Sequence, residues 1–147
     1  MGEGGEGDEE GALMARYLLD ASALYPLVLR LGAGLLDHSP LFAALDLTVY
    51  EVGNAVWKES RGGRVRDPRA LAAIFSEILR EVEVVSVGSW AVAEVLELAL
   101  AEGLTFYDAA YLYAARKLGL KLVTEGLDLR RYPGTISVDE LTAELER

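Results

Sequence analysis

The 147-residue chain contains no cysteine and no glutamine, and it has one asparagine, Asn54, and one histidine, His38. Without cysteine there is neither a disulfide framework nor a thiolate metal site. The lone histidine sits in a Ser-Pro loop, where a surface position is expected. No Ser-His or Cys-His pair is therefore available to activate a nucleophile. No apolar run reaches the ~18 residues of a membrane span. The Gly- and acid-rich start lacks the basic and apolar stretches of a signal peptide, so a cytoplasmic location is expected. Few thermolabile residues beside abundant Glu and Arg is a composition favoured in heat-adapted proteins.

What is present is apolar and acidic. Hydrophobic residues make up 52% of the chain, enough for the core of one domain. Residues 1–15 are the exception: Gly and acid with little to bury, they read as a disordered tail. Met14 stands directly before the strand-like run Ala15 to Leu19, so the residues ahead of it read as an upstream start rather than a working part. The folded unit is expected over residues 16–147, with no internal repeat and no linker. The formal net charge is −10, and the tail acids Glu3, Glu6, Asp8, Glu9 and Glu10 account for half of it. The acidic remainder argues against gripping nucleic acid by bulk charge. It leaves open an enzyme that reaches phosphate through a bound metal.

Periodicity divides the folded unit into alternating elements. Strands are predicted at Tyr17 to Leu19, Ala43 to Leu47, Glu83 to Val87, Lys121 to Thr124 and Thr135 to Val138. Helices are predicted over Ser22 to Leu36, Thr48 to Ser60, Pro68 to Arg80, Ser89 to Ala101, Phe106 to Leu118 and Asp139 to Glu146. Pro26 is tolerated if it falls near a first turn. Apolar strands alternating with helices indicate an α/β domain whose parallel sheet is covered on both faces. Ligands of such sheets bind at the carboxyl ends of the strands.

Several acids fall at such ends. Asp20 follows the first strand, Glu51 lies a turn past the second, Asp108 opens a helix, and Glu125 and Asp128 follow the fourth strand. Each has a plainer reading. Asp20 is a favoured helix cap, and Glu51 after Thr48 and Asp108 after Thr105 match capping-box spacing. Ser137 and Glu140 repeat that pattern, and there a cap is all we expect. Taken together, however, Asp20, Glu51, Asp108 and Glu125 or Asp128 are expected to face one crevice. Carboxylates gathered without bases repel one another, and a hard divalent cation such as Mg²⁺ or Mn²⁺ relieves that repulsion.

The contexts of these acids are specific. Asp20 in Leu-Leu-Asp-Ala-Ser-Ala-Leu, Glu51 in Tyr-Glu-Val-Gly-Asn-Ala and Asp108 in Leu-Thr-Phe-Tyr-Asp-Ala-Ala-Tyr resemble the first three acidic motifs of PIN-domain ribonucleases of the VapC toxin type. Lys121-Leu-Val-Thr124 and the acidic stretch after it resemble the fourth. The resemblance runs from about Arg16 to Val138. It implies a three-layer α/β/α sandwich around a mostly parallel sheet of four or five strands, and a metal-dependent endoribonuclease. It makes Asp20, Glu51 and Asp108 metal ligands and catalytic residues, with Ser22, Asn54 and Thr124 as polar support. Family members usually carry an Asp two residues after the threonine, where this chain has Gly126. Asp128, the more plausible, or Glu125 would then supply the missing ligand.

The densest basic run, Lys58, Arg61, Arg64 and Arg66, is a candidate RNA-binding rim, or else a solvated helix end that complements the dipole. Arg130 and Arg131 form a second candidate rim. Tyr25, Tyr50, Tyr107, Tyr111 and Tyr113 either line a groove for a partner or for bases or, as helical spacing beside alanines favours, form the edge of the core. Competing classes fit less well. A phospho-receiver site needs neighbouring early acids, and a haloacid-dehalogenase phosphatase needs Asp-x-Asp where Ser22 stands. A PIN-like binding or scaffold module with a weakened metal site, and a stand-alone RNA-processing nuclease, remain as alternatives. For the toxin reading, the resemblance implies a VapB-type antitoxin partner and a homodimer.

Overall fold

The computed structural model describes residues 14–88 and 91–147. Most of the expected tail, and the start of the helix expected from Ser89, lie outside these residues. Strand β1 is Tyr17–Leu19, followed by helix α1 at Ala21–Leu31 and a 3₁₀ segment at Gly32–Leu41. Then come β2 (Phe42–Leu45), α2 (Asp46–Arg61), α3 (Pro68–Glu81), β3 (Glu83–Val85), α4 (Val92–Glu102) and α5 (Phe106–Leu118). The chain closes with β4 (Lys121–Val123), α6 (Leu127–Arg130), β5 (Thr135–Ile136) and α7 (Val138–Leu145).

The five strands are ordered β3-β2-β1-β4-β5 and every pairing is parallel. Side-chain alternation along β1 explains the layers. Tyr17 and Leu19 pack into a cluster with residues of α1, α2, α3 and α7, whereas Leu18 points into a second cluster with α4, α5 and α6. Both faces of the central strands β1 and β2 are buried, and these two strands are apolar throughout. Each fully buried Leu contributes about 1.5–3 kcal/mol. The result is a three-layer α/β/α sandwich. Among the described residues, no helix is long and apolar enough to cross a membrane.

The departures from expectation have local causes. The first helix was expected to reach Leu36 but stops at Leu31, because Gly32 takes a positive φ of 55°, a conformation that favours glycine. Pro26 lies at the sixth residue of α1 rather than in its first turn, so its missing N–H removes one internal bond. Helix α2 starts two residues before Thr48. Thr48 is therefore inside the first turn, where its hydroxyl accepts from Leu45 N at 3.2 Å. That removes the Thr48–Glu51 capping box and frees the Glu51 carboxylate. The short helix α6, which carries Asp128, was not foreseen.

Candidate functional site

Sheet order places the site. Chain direction is such that β1 lies between β2 and β4, so Asp20, the α2 start and Thr124 emerge side by side at the carboxyl ends. This is the switch point where open α/β sheets bind ligands. A pocket of about 510 Å³ opens there. Its wall includes Asp20, Ser22, Glu51, Asn54, Lys58, Asp108, Tyr111 and Thr124.

Asp20 is only 6% exposed. It does cap α1, accepting from Ala23 N at 3.0 Å, and it also accepts from Ser22 Oγ at 2.7 Å. Burial pushes its carboxyl up to about 6, against hydrogen bonds from Ser22, Thr124 and Ala23, and the charge of Glu51 adds to the rise. Asp108 is also raised, by burial first and then by the charge of Asp128. Thr105 caps α5 through the backbone N of Asp108 at 3.0 Å. The cap thus leaves the Asp108 carboxylate itself uncommitted. At Ser137 and Glu140, by contrast, both halves of the capping box form. Glu51, half-buried, accepts from the hydroxyl of Tyr111 at 2.7 Å.

The fourth motif is pinned rather than loose. Ser22 Oγ lies 3.3 Å from Thr124 Oγ1 and accepts from Glu125 N at 2.9 Å, and Thr124 Oγ1 accepts from Gly126 N at 3.0 Å. Glu125 turns away from the pocket. Its Oε2 accepts from Val138 N at 2.6 Å, at the start of α7, and its Oε1 lies 3.7 Å from Arg130. Asp128 is exposed on α6, outside the pocket wall, with its charge felt at Asp108. Of the basic run, Lys58 lines the pocket. Arg61 lies over the Trp57 ring at 5.2 Å, Arg64 pairs with Glu59 at 2.6 Å, and Arg66 is exposed.

The donor set suits a hard cation in kind. Asp20, Glu51 and Asp108 bring carboxylate oxygens to one pocket, and the ion pairs of the described residues leave all three out. Among the described residues, no three such acids stand close enough to hold one ion together. Mg²⁺ needs no such cage, because it keeps several waters and is held by one or two carboxylates plus substrate phosphates. The mutually repelling Asp20 and Glu51 meet that requirement.

Sequence comparison places the chain. A profile of the PIN domain matches residues 17–135. Exonuclease VapC9 of Pyrobaculum aerophilum is 42% identical over 130 residues, covering 88% of this chain and 95% of that protein. Ribonuclease VapC3 of the same organism is 39% identical over 98 residues, covering 63% and 72%. A crystal structure of a P. aerophilum protein superposes with a TM-score of 0.82 at 42% identity, covering 92% of each chain. A toxin–antitoxin complex from Klebsiella pneumoniae shares the fold at TM-score 0.60 and 21% identity, covering 83% of this chain and 97% of that one. Architecture and sheet order define a three-layer α/β protein with a parallel sheet and an acid-lined crevice at its carboxyl edge. The chain belongs to the PIN-domain family.

Sequence reading missed Tyr111, which was expected at the core edge, as a partner of Glu51. The available signal was its position three residues after Asp108, on the same face of α5. The fourth motif yields a prediction. Asp128→Asn is expected to weaken metal-dependent cleavage more than Glu125→Gln, whose side chain is committed to α7. Initial rates at limiting Mn²⁺ will rank them, and the reverse order would transfer the role to Glu125.

Proposed function

We propose that this protein is a Mg²⁺- or Mn²⁺-dependent endoribonuclease that hydrolyses RNA phosphodiesters, acting as the toxin of a VapBC-type pair. The observation that carries this reading is the meeting of Asp20, Glu51 and Asp108 in one 510 Å³ pocket of a PIN-family chain. Asp20 and Glu51 would hold the ion, with Asp108 on the same pocket wall and the charge of Asp128 acting on Asp108. A bound divalent ion offsets charge building on the phosphate and acidifies a water. The chain's own groups do the rest. Ser22 and the Ala23 amide keep Asp20 aimed into the crevice, Thr124 and Ser22 hold the fourth-motif loop beside it, and Lys58 attracts the phosphate from the rim. Two close relatives named as a ribonuclease and an exonuclease support phosphodiester hydrolysis.

The test uses one RNA sequence in linear and circular form. With Mn²⁺ both forms are expected to be cut, and EDTA is expected to stop both reactions. Cutting of the linear form alone would replace endonuclease with exonuclease. Activity that survives EDTA would remove the metal from the reading. A scaffold module with a weakened site is the second reading, favoured by Gly126 and by the spread of the acids; it predicts that RNA binds and stays intact.

Partners follow from exposed apolar surface. Val92, Leu96 and Leu100 form an exposed stripe along α4, suited to a second copy of the chain. Val49, Val56, Phe75 and Leu79 line a smaller groove between α2 and α3, suited to an apolar segment of a VapB-type antitoxin. Such a segment would bring a basic side chain to the acids in competition with the ion.

A further inference from the structure

Tyr111 is only 2% exposed and Thr48 is fully buried. A phenylalanine at 111 would make the same apolar contacts, and a buried hydroxyl is costly unless its hydrogen bonds are made. Here they are made in a line. Leu45 N lies 3.2 Å from Thr48 Oγ1, Thr48 Oγ1 lies 2.7 Å from the Tyr111 hydroxyl, and that hydroxyl lies 2.7 Å from Glu51 Oε1.

The direction of every proton in this line follows from its two ends. A backbone N–H only donates, so Thr48 Oγ1 accepts from Leu45 and is free to donate onward. A carboxylate only accepts, so the Tyr111 hydroxyl gives its one proton to Glu51 and accepts from Thr48. All bonds run the same way, from the end of β2 to the acid, and bonds chained in this manner reinforce one another. Oε1 is thereby held by the protein, and Oε2 is left for the pocket. The line also joins α2, which carries Glu51, to α5, which carries both Tyr111 and Asp108.

We propose that Tyr111 is a positioning residue which, backed by Thr48, aims one oxygen of Glu51 into the pocket and presents it as a single-oxygen ligand. This rests on the reading of Glu51 as a metal ligand. Partners that orient a ligating side chain in this way typically change metal affinity roughly 10–100-fold when removed.

The test is Mn²⁺ binding by the full chain, followed by electron paramagnetic resonance without RNA, with thermal melting of each metal-free protein alongside. Tyr111→Phe is expected to weaken Mn²⁺ roughly 10–100-fold. Thr48→Val is expected to weaken it in the same direction by less, and Thr48→Ser, which keeps the hydroxyl, to bind as wild type. If Tyr111→Phe does not fold, the Thr48→Val and Thr48→Ser pair decides alone. Should Glu51→Gln lose Mn²⁺ while Tyr111→Phe and Thr48→Val keep wild-type affinity, Glu51 is a ligand and the relay is overturned. Absence of Mn²⁺ binding by the wild type, or wild-type binding by Glu51→Gln, overturns the metal reading and the relay together. A lowered melting temperature with unchanged Mn²⁺ affinity would mark Tyr111 as purely structural and also overturns the proposal.

Discussion

Asp20→Asn is expected to lower RNA cleavage at least ~100-fold, because placement of the ion carries most of the barrier reduction. The substitution is narrow. Asparagine is as good a cap as aspartate, and its side-chain oxygen can still accept from Ala23 N and Ser22 Oγ, the bonds Asp20 makes at 3.0 and 2.7 Å. What disappears is the charge. Asp108→Asn is expected to act alike, since α5 is capped through the backbone N of residue 108 rather than through its carboxylate. Glu140→Gln, in the capping box of α7, is the control and should leave cleavage unchanged. Single-turnover rates at saturating Mn²⁺ provide the measurement, and losses below tenfold in both aspartate variants would count against the site.

The same residue should make the metal-free protein more stable when its charge is removed. The Asp20 carboxyl rises from an ordinary 3.8 to about 6, chiefly through burial. The folded protein therefore holds this proton more tightly than the unfolded chain does. Below the lower value both states are protonated and the burial costs nothing in charge. As pH climbs toward 6 the folded state alone resists ionising, and stability declines; above 6 the cost is complete. Two units correspond to about 3 kcal/mol, or on the order of 10 °C in melting temperature for a chain of this size. Asp20→Asn is thus expected to melt above wild type at pH 7.5 without metal, and the gap should close by pH 4. Mn²⁺ should raise the wild type more than the variant. A variant that melts lower than wild type across the whole range would show that Asp20 serves as an ordinary cap.

Most of the fold was legible because its signals are local. The apolar strands, the helix α5 closed by Gly119 and the parallel arrangement all follow from patterns within a few residues. Several of the misreadings concern where a regular element begins or ends. Thr48 looks like a cap in sequence because its hydroxyl does bond a nearby backbone N–H, yet that N–H belongs to Leu45, at the preceding strand end. Nor could spacing reveal that Glu125 is drawn to Val138, thirteen residues on. Asp20, Glu51 and Asp108 were each singled out from their own surroundings and line one pocket, whereas the Tyr111–Glu51 bond spans 60 residues and becomes visible only once α2 and α5 are packed.

The pairing of β1 with β4 also has a consequence for how the protein is made. Ser22 and Thr124 meet across 102 positions of chain, and non-local contacts of this kind form late. Synthesis proceeds from the amino end, so the ribosome releases Asp20 and Glu51 well before, and Asp108 shortly before, the strand that closes the crevice beside them. A nascent chain that has reached Leu118 holds the acids without β4 to order them. The crevice is therefore complete only once β4 has been added, and a product truncated at Leu118 is expected not to cleave RNA.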